Sequence, residues 1–307
     1  MTRAQFPAGF RIGHASDFEG RTGCTVILPP PGTIAAVDVR GGAPGTRETG
    51  VFAPGNLISE IHALLFTGGS AFGLAAATGV SAFLRRAGAG FAVGPARVPI
   101  VAAAVLFDLA VGNALAFPDE AMGEAACAAA KGDFEIGRVG AGTGATAGKL
   151  YGQPRAAPGG LGAFTVALPG GERVAVIAAV NPFGDVVDPD TGRLLAAPSD
   201  GHGGRVRSAE ALWRGELPES PAAGANTTLV CVATTVPFEP GSLKRVAIEA
   251  HDGIARSVRP AHTVVDGDVV FALAPPGPPP PLPLRLQVGA AAAAAAARAI
   301  VSAVADT

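Results

Sequence analysis

The chain has 307 residues, a mass of 30.3 kDa and a formal net charge of −2, with 49% hydrophobic and 16% charged residues. That length and polarity supply a sizeable core, which excludes a disordered protein, a coiled coil and a small disulfide scaffold. Near-neutral charge without a basic cluster argues against nucleic acid or an anionic membrane surface as the main partner.

The first strand is expected at residues 24–28 (CTVIL), which are β-branched and apolar and are stopped by prolines. Residues 34–39 form a second strand across a Pro-Gly turn, and the Gly-rich stretch 40–49 is a loop. A strand at 61–66 leads into Thr67-Gly68-Gly69-Ser70, which opens a helix of about 17 residues with arginines in its last turn. A buried strand is expected over 98–106, a helix over 120–130 and a glycine-rich loop over 139–149. Strands return at 163–168 and 174–180, the second ending at Asn181-Pro182. The polar, Pro/Gly-rich stretch from 185 to about 224 reads as a surface excursion and the best candidate linker. A strand at 227–234 and a helix at 243–256 follow, then a strand or tight hairpin at 264–273, a polyproline spacer and a last helix from 286 to 305. Alternating strands and helices indicate an α/β fold.

Cys24, Cys127 and Cys231 are odd in number and widely spaced, so neither a disulfide framework nor a zinc site is expected. The five histidines show no metal-ligand spacing, and no metal or cofactor is called for. The N-terminal MTRAQFPAGFRIGH has no apolar core of the signal-peptide kind. Residues 101–111 are too short to span a membrane and carry Asp108; residues 289–305 are mostly alanine and carry Arg298. A soluble, cytoplasmic protein is expected.

Basic residues are almost all arginine: Lys131, Lys149 and Lys244 are the only lysines, and Asn56, Asn113, Asn181 and Asn226 the only asparagines. A lysine can lose its proton when buried, and a carboxamide can donate without charge, so these few are candidates for chemistry that Arg and Asp cannot do. The loop 139–149 fails as a P-loop, because positions 143 and 150 hold Thr and Leu; Gly142-Thr143-Gly144-Ala145-Thr146-Ala147 fits the loose dinucleotide pattern without its later acidic residue. No G-x-S-x-G elbow is present.

Two stretches carry more. In Ala225-Asn226-Thr227-Thr228 a Pro/Gly-rich segment runs directly into a buried strand. Cleavage before Thr227 would give one residue both a nucleophilic hydroxyl and, in its free amine, a base; alternatively, Asn-Thr-Thr merely starts the strand. Asp266-Gly267-Asp268 sits in an apolar run, where i and i+2 on a strand would share a face and pair their carboxylates. Asp-Gly is equally a favoured hairpin turn.

Taken together, GHASDFEGRTGCTVIL, VRGGAPGTRET, residues 65–74, VPIVAAAVLFDL, VGAGTGATAGKL, AAVNPFGDVVDPDTG, ANTTLVCVAT and AHDGIARSVRPAHTVVDGDVVFALA occur in fixed order over nearly the whole chain. The sequence resembles the DmpA-like N-terminal-nucleophile hydrolases, the L-aminopeptidase/D-esterase family with its β-aminopeptidase and nylon-oligomer hydrolase relatives. The resemblance implies one four-layer αββα domain over 1–307. It also implies self-cleavage between Asn226 and Thr227 into α 1–226 and β 227–307, in a homo-oligomer of αβ units acting on small peptides, amides or esters. It places the nucleophile on Thr227, its partner carboxylates on Asp266 and Asp268, an oxyanion donor on Asn181 and a lysine beside it at Lys149. Phe107 stands where some relatives have Tyr, and Gly69, Ser70, Phe107 and Gly142 are the substrate-pocket candidates. An acyl transferase resembling ornithine acetyltransferase, or a non-catalytic small-molecule binding homologue, would share these features.

Overall fold

The structure is a computed structural model that describes residues 2–216 and 226–305. Two five-stranded sheets organise it. In one, the strands run in the order Gly160–Ala167, Arg173–Asn181, Thr227–Thr234, Val269–Ala274, Ile34–Val39; in the other, Arg11–Asp17, Thr22–Leu28, Ala63–Thr67, Val101–Val105, Thr46–Arg47. Each sheet has one parallel pair, Thr227–Thr234 with Val269–Ala274 and Ala63–Thr67 with Val101–Val105; the other pairs are antiparallel. A parallel pair needs a crossover, and in both sheets a helix lies on that connection. Pro240–Ser257 lies between the first pair and Ala76–Arg86 between the second.

Side chains alternate as a pleated strand requires. Val174, Val176, Ala178 and Val180 face the helices Pro240–Ser257 and Leu282–Ser302. Between them, Ala175, Ile177 and Ala179 point the other way and meet Ile27, Leu64, Phe66, Ala102 and Ala104 of the second sheet. That sheet's far face, with Cys24, Val26, Leu65 and Ala103, packs on Ala76–Arg86 and Glu120–Ala128. The fold is mixed α/β. Central strands buried on both faces explain why 227–234 is a continuous apolar run rather than an alternating one.

Several sequence expectations change. Residues 185–216 are not a surface linker: Asp185–Val187 is a fully buried strand that pairs with both Val258–Arg259 and Leu194–Ala196. Asp185 is buried because the Ser208 N–H donates to it at 2.7 Å and the Ser208 hydroxyl at 2.5 Å. The end of the expected excursion, 217–225, lies outside the described residues. Val98 belongs to a separate exposed hairpin, Phe91–Val93 with Ala96–Val98, and the buried strand begins at Val101. Asp266-Gly267-Asp268 is neither strand interior nor hairpin tip; it is the approach to a strand that starts at Val269. The expected helix after Thr67-Gly68-Gly69 divides into a 3-10 turn, Ser70–Ala75, and the α-helix Ala76–Arg86. Among the described residues, Leu282–Ser302 alone is long and apolar enough to cross a membrane, and 56% of its most apolar stretch is buried in the protein.

Candidate active site

Three strand ends meet at one end of the first sheet, on its central strands. Arg173–Asn181 finishes there, Thr227–Thr234 begins there, and residues 266–268 lead into the parallel strand beside it. Asn181 and Thr227 are partners in the ladder, while Asn226 bridges to Asp266 on the other side. Topology thus gathers Thr227, Asn181, Asp266 and Asp268 from positions far apart in sequence. All of them, with Asn226 and Lys149, are buried.

The bond expected to break carries two donors. The Asn226 carbonyl oxygen accepts from the Gly267 N–H at 2.8 Å and from the Thr227 hydroxyl at 2.5 Å. Gly267 has to be glycine on packing grounds, since a Cβ there would stand 2.8 Å from Thr227 Oγ1 and 2.8 Å from the Ala43 carbonyl oxygen. Asn226 Nδ2 donates to the Val265 carbonyl at 3.2 Å and ties the residue before Thr227 to the same turn.

Lys149 Nζ donates to the backbone oxygen of Asn181 at 2.8 Å and to its Oδ1 at 2.9 Å. Burial pulls this ammonium from 10.5 down to about 7, against the opposing pull of Asp266 and Asp108. A lysine poised there can give or take a proton near neutrality. Asn181 Oδ1 also accepts from Thr146 N–H at 2.9 Å, and its Nδ2 donates to the Phe107 carbonyl at 3.1 Å. Phe107 therefore touches the site through its backbone, a contact that does not depend on whether its ring carries a hydroxyl.

The two aspartates are held separately. Asp266 Oδ1 accepts from Phe183 N–H at 3.0 Å, and its Oδ2 accepts from Thr263 N–H at 3.2 Å and from the Thr263 hydroxyl. Asp268 Oδ1 accepts from Thr228 N–H at 2.6 Å, and its Oδ2 from His262 N–H at 3.0 Å and His262 Nδ1 at 2.8 Å. Burial first, and the charge of Asp268 second, raise the Asp266 carboxyl above its ordinary range.

The pocket candidates separate. Gly69 donates its N–H to Asp108 Oδ1 at 2.7 Å, and Ser70 holds a left-handed φ of 52° with its N–H on the Leu106 carbonyl. A Cβ on Gly68 would lie 2.1 Å from Asp108 Oδ2, so the glycine pair lets the loop close over a buried carboxylate, which burial raises to about 6. Gly142 instead packs against the backbone of Gly160 and Leu161. Sequence reasoning missed the donors Gly267, Phe183 and Thr228 and the residues His262, Thr263 and Asp108. His262 and Thr263 sit just upstream of the two aspartates, but the pairing depends on a turn that spacing alone does not reveal.

The hydroxyl, carbonyl, polarising N–H, buried lysine and two carboxylates gathered here are groups with the chemistry that an acyl transfer needs. Residues 8–307 match peptidase family S58, and the chain belongs to that family. It is a hydrolase of the peptidase class. It is 44% identical over 279 residues to a Mycobacterium tuberculosis protein described as an uncharacterized aminopeptidase, covering 87% of this chain and 79% of that one. A 6-aminohexanoate-oligomer endohydrolase of Paenarthrobacter ureafaciens is 36% identical over 279 residues, covering 89% and 74%. Among solved structures, the L-aminopeptidase D-Ala-esterase/amidase of Ochrobactrum anthropi, a variant of the Ntn-hydrolase fold, superposes with a TM-score of 0.73 at 19% identity, over 99% of this chain and 87% of that one. A Burkholderia sp. β-aminopeptidase gives 0.70 at 22%, over 96% and 84%.

Proposed function

We propose that the chain is a self-processing N-terminal-threonine hydrolase, cut between Asn226 and Thr227, that acts on small peptides, amino-acid amides or related amides and esters. The observation that carries this reading is the doubly hydrogen-bonded Asn226 carbonyl with the Thr227 hydroxyl on it. In the precursor, Thr227 Oγ1 turns from the carbonyl oxygen to its carbon and forms an ester bond. The hydroxyl proton passes to the departing nitrogen, and the Gly267 N–H stabilises the charge that develops on oxygen. The Asn226–Thr227 C–N bond breaks, and the nitrogen leaves with a proton as a free amine. Water then hydrolyses the ester, regenerating the hydroxyl and leaving a carboxylate on Asn226.

The processed enzyme repeats the chemistry on a substrate carbonyl. The Thr227 amine, with an ordinary pKa of about 8, moves the proton; Asp266 and Asp268 balance its charge; and Asn181 with Lys149 faces the oxyanion. One well-placed donor of this kind is worth roughly 10²–10³ in rate. We read the stacking of helices and sheets as one αββα domain that assembles as a homo-oligomer of αβ units in the cytoplasm. The relatives' names point to aminopeptidase or ω-amino-oligomer substrates.

The test is a substrate panel of amino-acid amides, β-peptides and 6-aminohexanoate oligomers, run with and without an acceptor amine. Release of free acid by the wild type, with none from Thr227→Ala, supports the reading. Acyl transfer only when the acceptor is present would make the protein a transferase, and equal release by both proteins would remove Thr227 from the chemistry.

A further inference from the structure

Outside the residues already given chemical roles, His262 contacts them through Asp268. It grips one oxygen of Asp268 twice, through its backbone N–H and through Nδ1. A carboxylate only accepts, so Nδ1 carries the proton of that contact. The residue does so from a left-handed backbone with φ 55°, a conformation uncommon for a side chain of this size. Its ring is wedged in place: His251 meets it edge-on with centroids 4.7 Å apart, and His251 is itself fully buried and donates Nε2–H to the Asp38 carbonyl at 3.2 Å. Behind it, Arg40 Nε donates to Asp38 Oδ2 at 2.8 Å, and the backbone N–H of Arg40 returns to the Asp268 carbonyl at 3.0 Å. A closed circuit of Asp268, His262, His251, Asp38 and Arg40 therefore backs one side of the site.

We propose that His262 is a positioning residue for the hydrolytic reaction: it aims Asp268 at the start of the Thr227–Thr234 strand, where the amine freed on Thr227 would stand. This rests on the Thr227 reading. Asp268 already touches that strand through Thr228 N–H at 2.6 Å, one residue beyond the nucleophile. The neighbouring Thr263 does the same for Asp266 with its own N–H and hydroxyl. Two consecutive residues thus each hold one carboxylate, and of the two only His262 is braced by a buried ring, that of His251.

Processed His262→Ala and His262→Asn enzymes decide the matter, with folding checked by circular dichroism and kinetics normalised to folded protein. Asparagine places an N–H donor near the position of Nδ1, whereas alanine leaves Asp268 free to swing. The expected result is a kcat lowered about tenfold or more in His262→Ala, with KM within about twofold, and most of that loss recovered in His262→Asn. Unchanged kcat in His262→Ala, or no recovery in His262→Asn, overturns the proposal. A second reading does not depend on catalysis. In uncut Thr227→Ala protein, proton NMR should show the His262 Nδ1–H as a downfield, exchange-protected resonance that disappears when Asp268→Asn is added. Its absence overturns the proposal. An inactive wild type would count against the Thr227 reading instead, and the resonance would still decide whether His262 holds Asp268.

Discussion

Asn181 and Thr227 are ladder partners, the last residue of one strand set against the first of the next. A strand end leaves side chains and backbone groups without further sheet pairing. Here Lys149 takes up the Asn181 carbonyl and Gly267 takes up the Asn226 carbonyl. The site is therefore built from the groups that the sheet leaves over at the ends of its central strands, in a place where water is already excluded. Each donor there counts for more than it would in solvent.

Gly267 gives a sharp prediction. In Gly267→Ala the added methyl meets the Thr227 hydroxyl and the Ala43 backbone oxygen at once, and the backbone oxygen cannot move aside cheaply. Processing should slow by roughly 10²-fold, read as the rate at which the full-length band disappears after purification under blocking conditions. Cleavage at the wild-type rate would show that the Gly267 contact has no part in it.

Lys149 gives a pH dependence with a definite sign. In the folded protein its ammonium titrates at about 7 rather than 10.5. Between those values the unfolded chain binds more protons than the folded one, so this lysine's contribution to stability rises with pH across the window. Lys149→Met removes the cost of burying the charge. Its stability relative to wild type should be more favourable at pH 6.5 than at pH 9.5, by a few kcal/mol in urea unfolding. A difference independent of pH would mean that Lys149 is not held in this environment.

Asp268 accepts three N–H donors. In Asp268→Asn one of them must face an NH2 group, which costs about 1–3 kcal/mol. Asp268→Asn should therefore lower both thermal stability and turnover, with the turnover loss persisting at temperatures where the variant is fully folded. Full activity in the folded variant would make Asp268 a structural residue.

Much of the framework was legible in local sequence. The β-branched runs at 34–39 and 227–234 match observed strands to the residue; in 227–234, a central strand buried on both faces leaves little room for any other pattern. The scarcity of lysine and asparagine pointed to Lys149, Asn181 and Asn226, which do converge; Asn56 instead caps an exposed turn by donating to the Gly50 carbonyl. Asp185–Val187 reads locally as part of a linker because its burial depends on a distant partner, Ser208, and on pairing with Val258–Arg259. His262 carries no local motif that marks it in the sequence, and its role depends on a turn that folds it back onto Asp268. Local propensity carries strands; contacts between loop residues carry the site.

The central claim is that one backbone bond of this chain is its first substrate, and intact mass after expression tests it most directly. Wild-type protein should resolve into two fragments that split between Asn226 and Thr227 and elute together, while Thr227→Ala should remain a single species near 30.3 kDa and Thr227→Ser, which keeps the hydroxyl, should still be cut. A wild type that stays whole, or a Thr227→Ala protein cut at the same bond, would contradict the account.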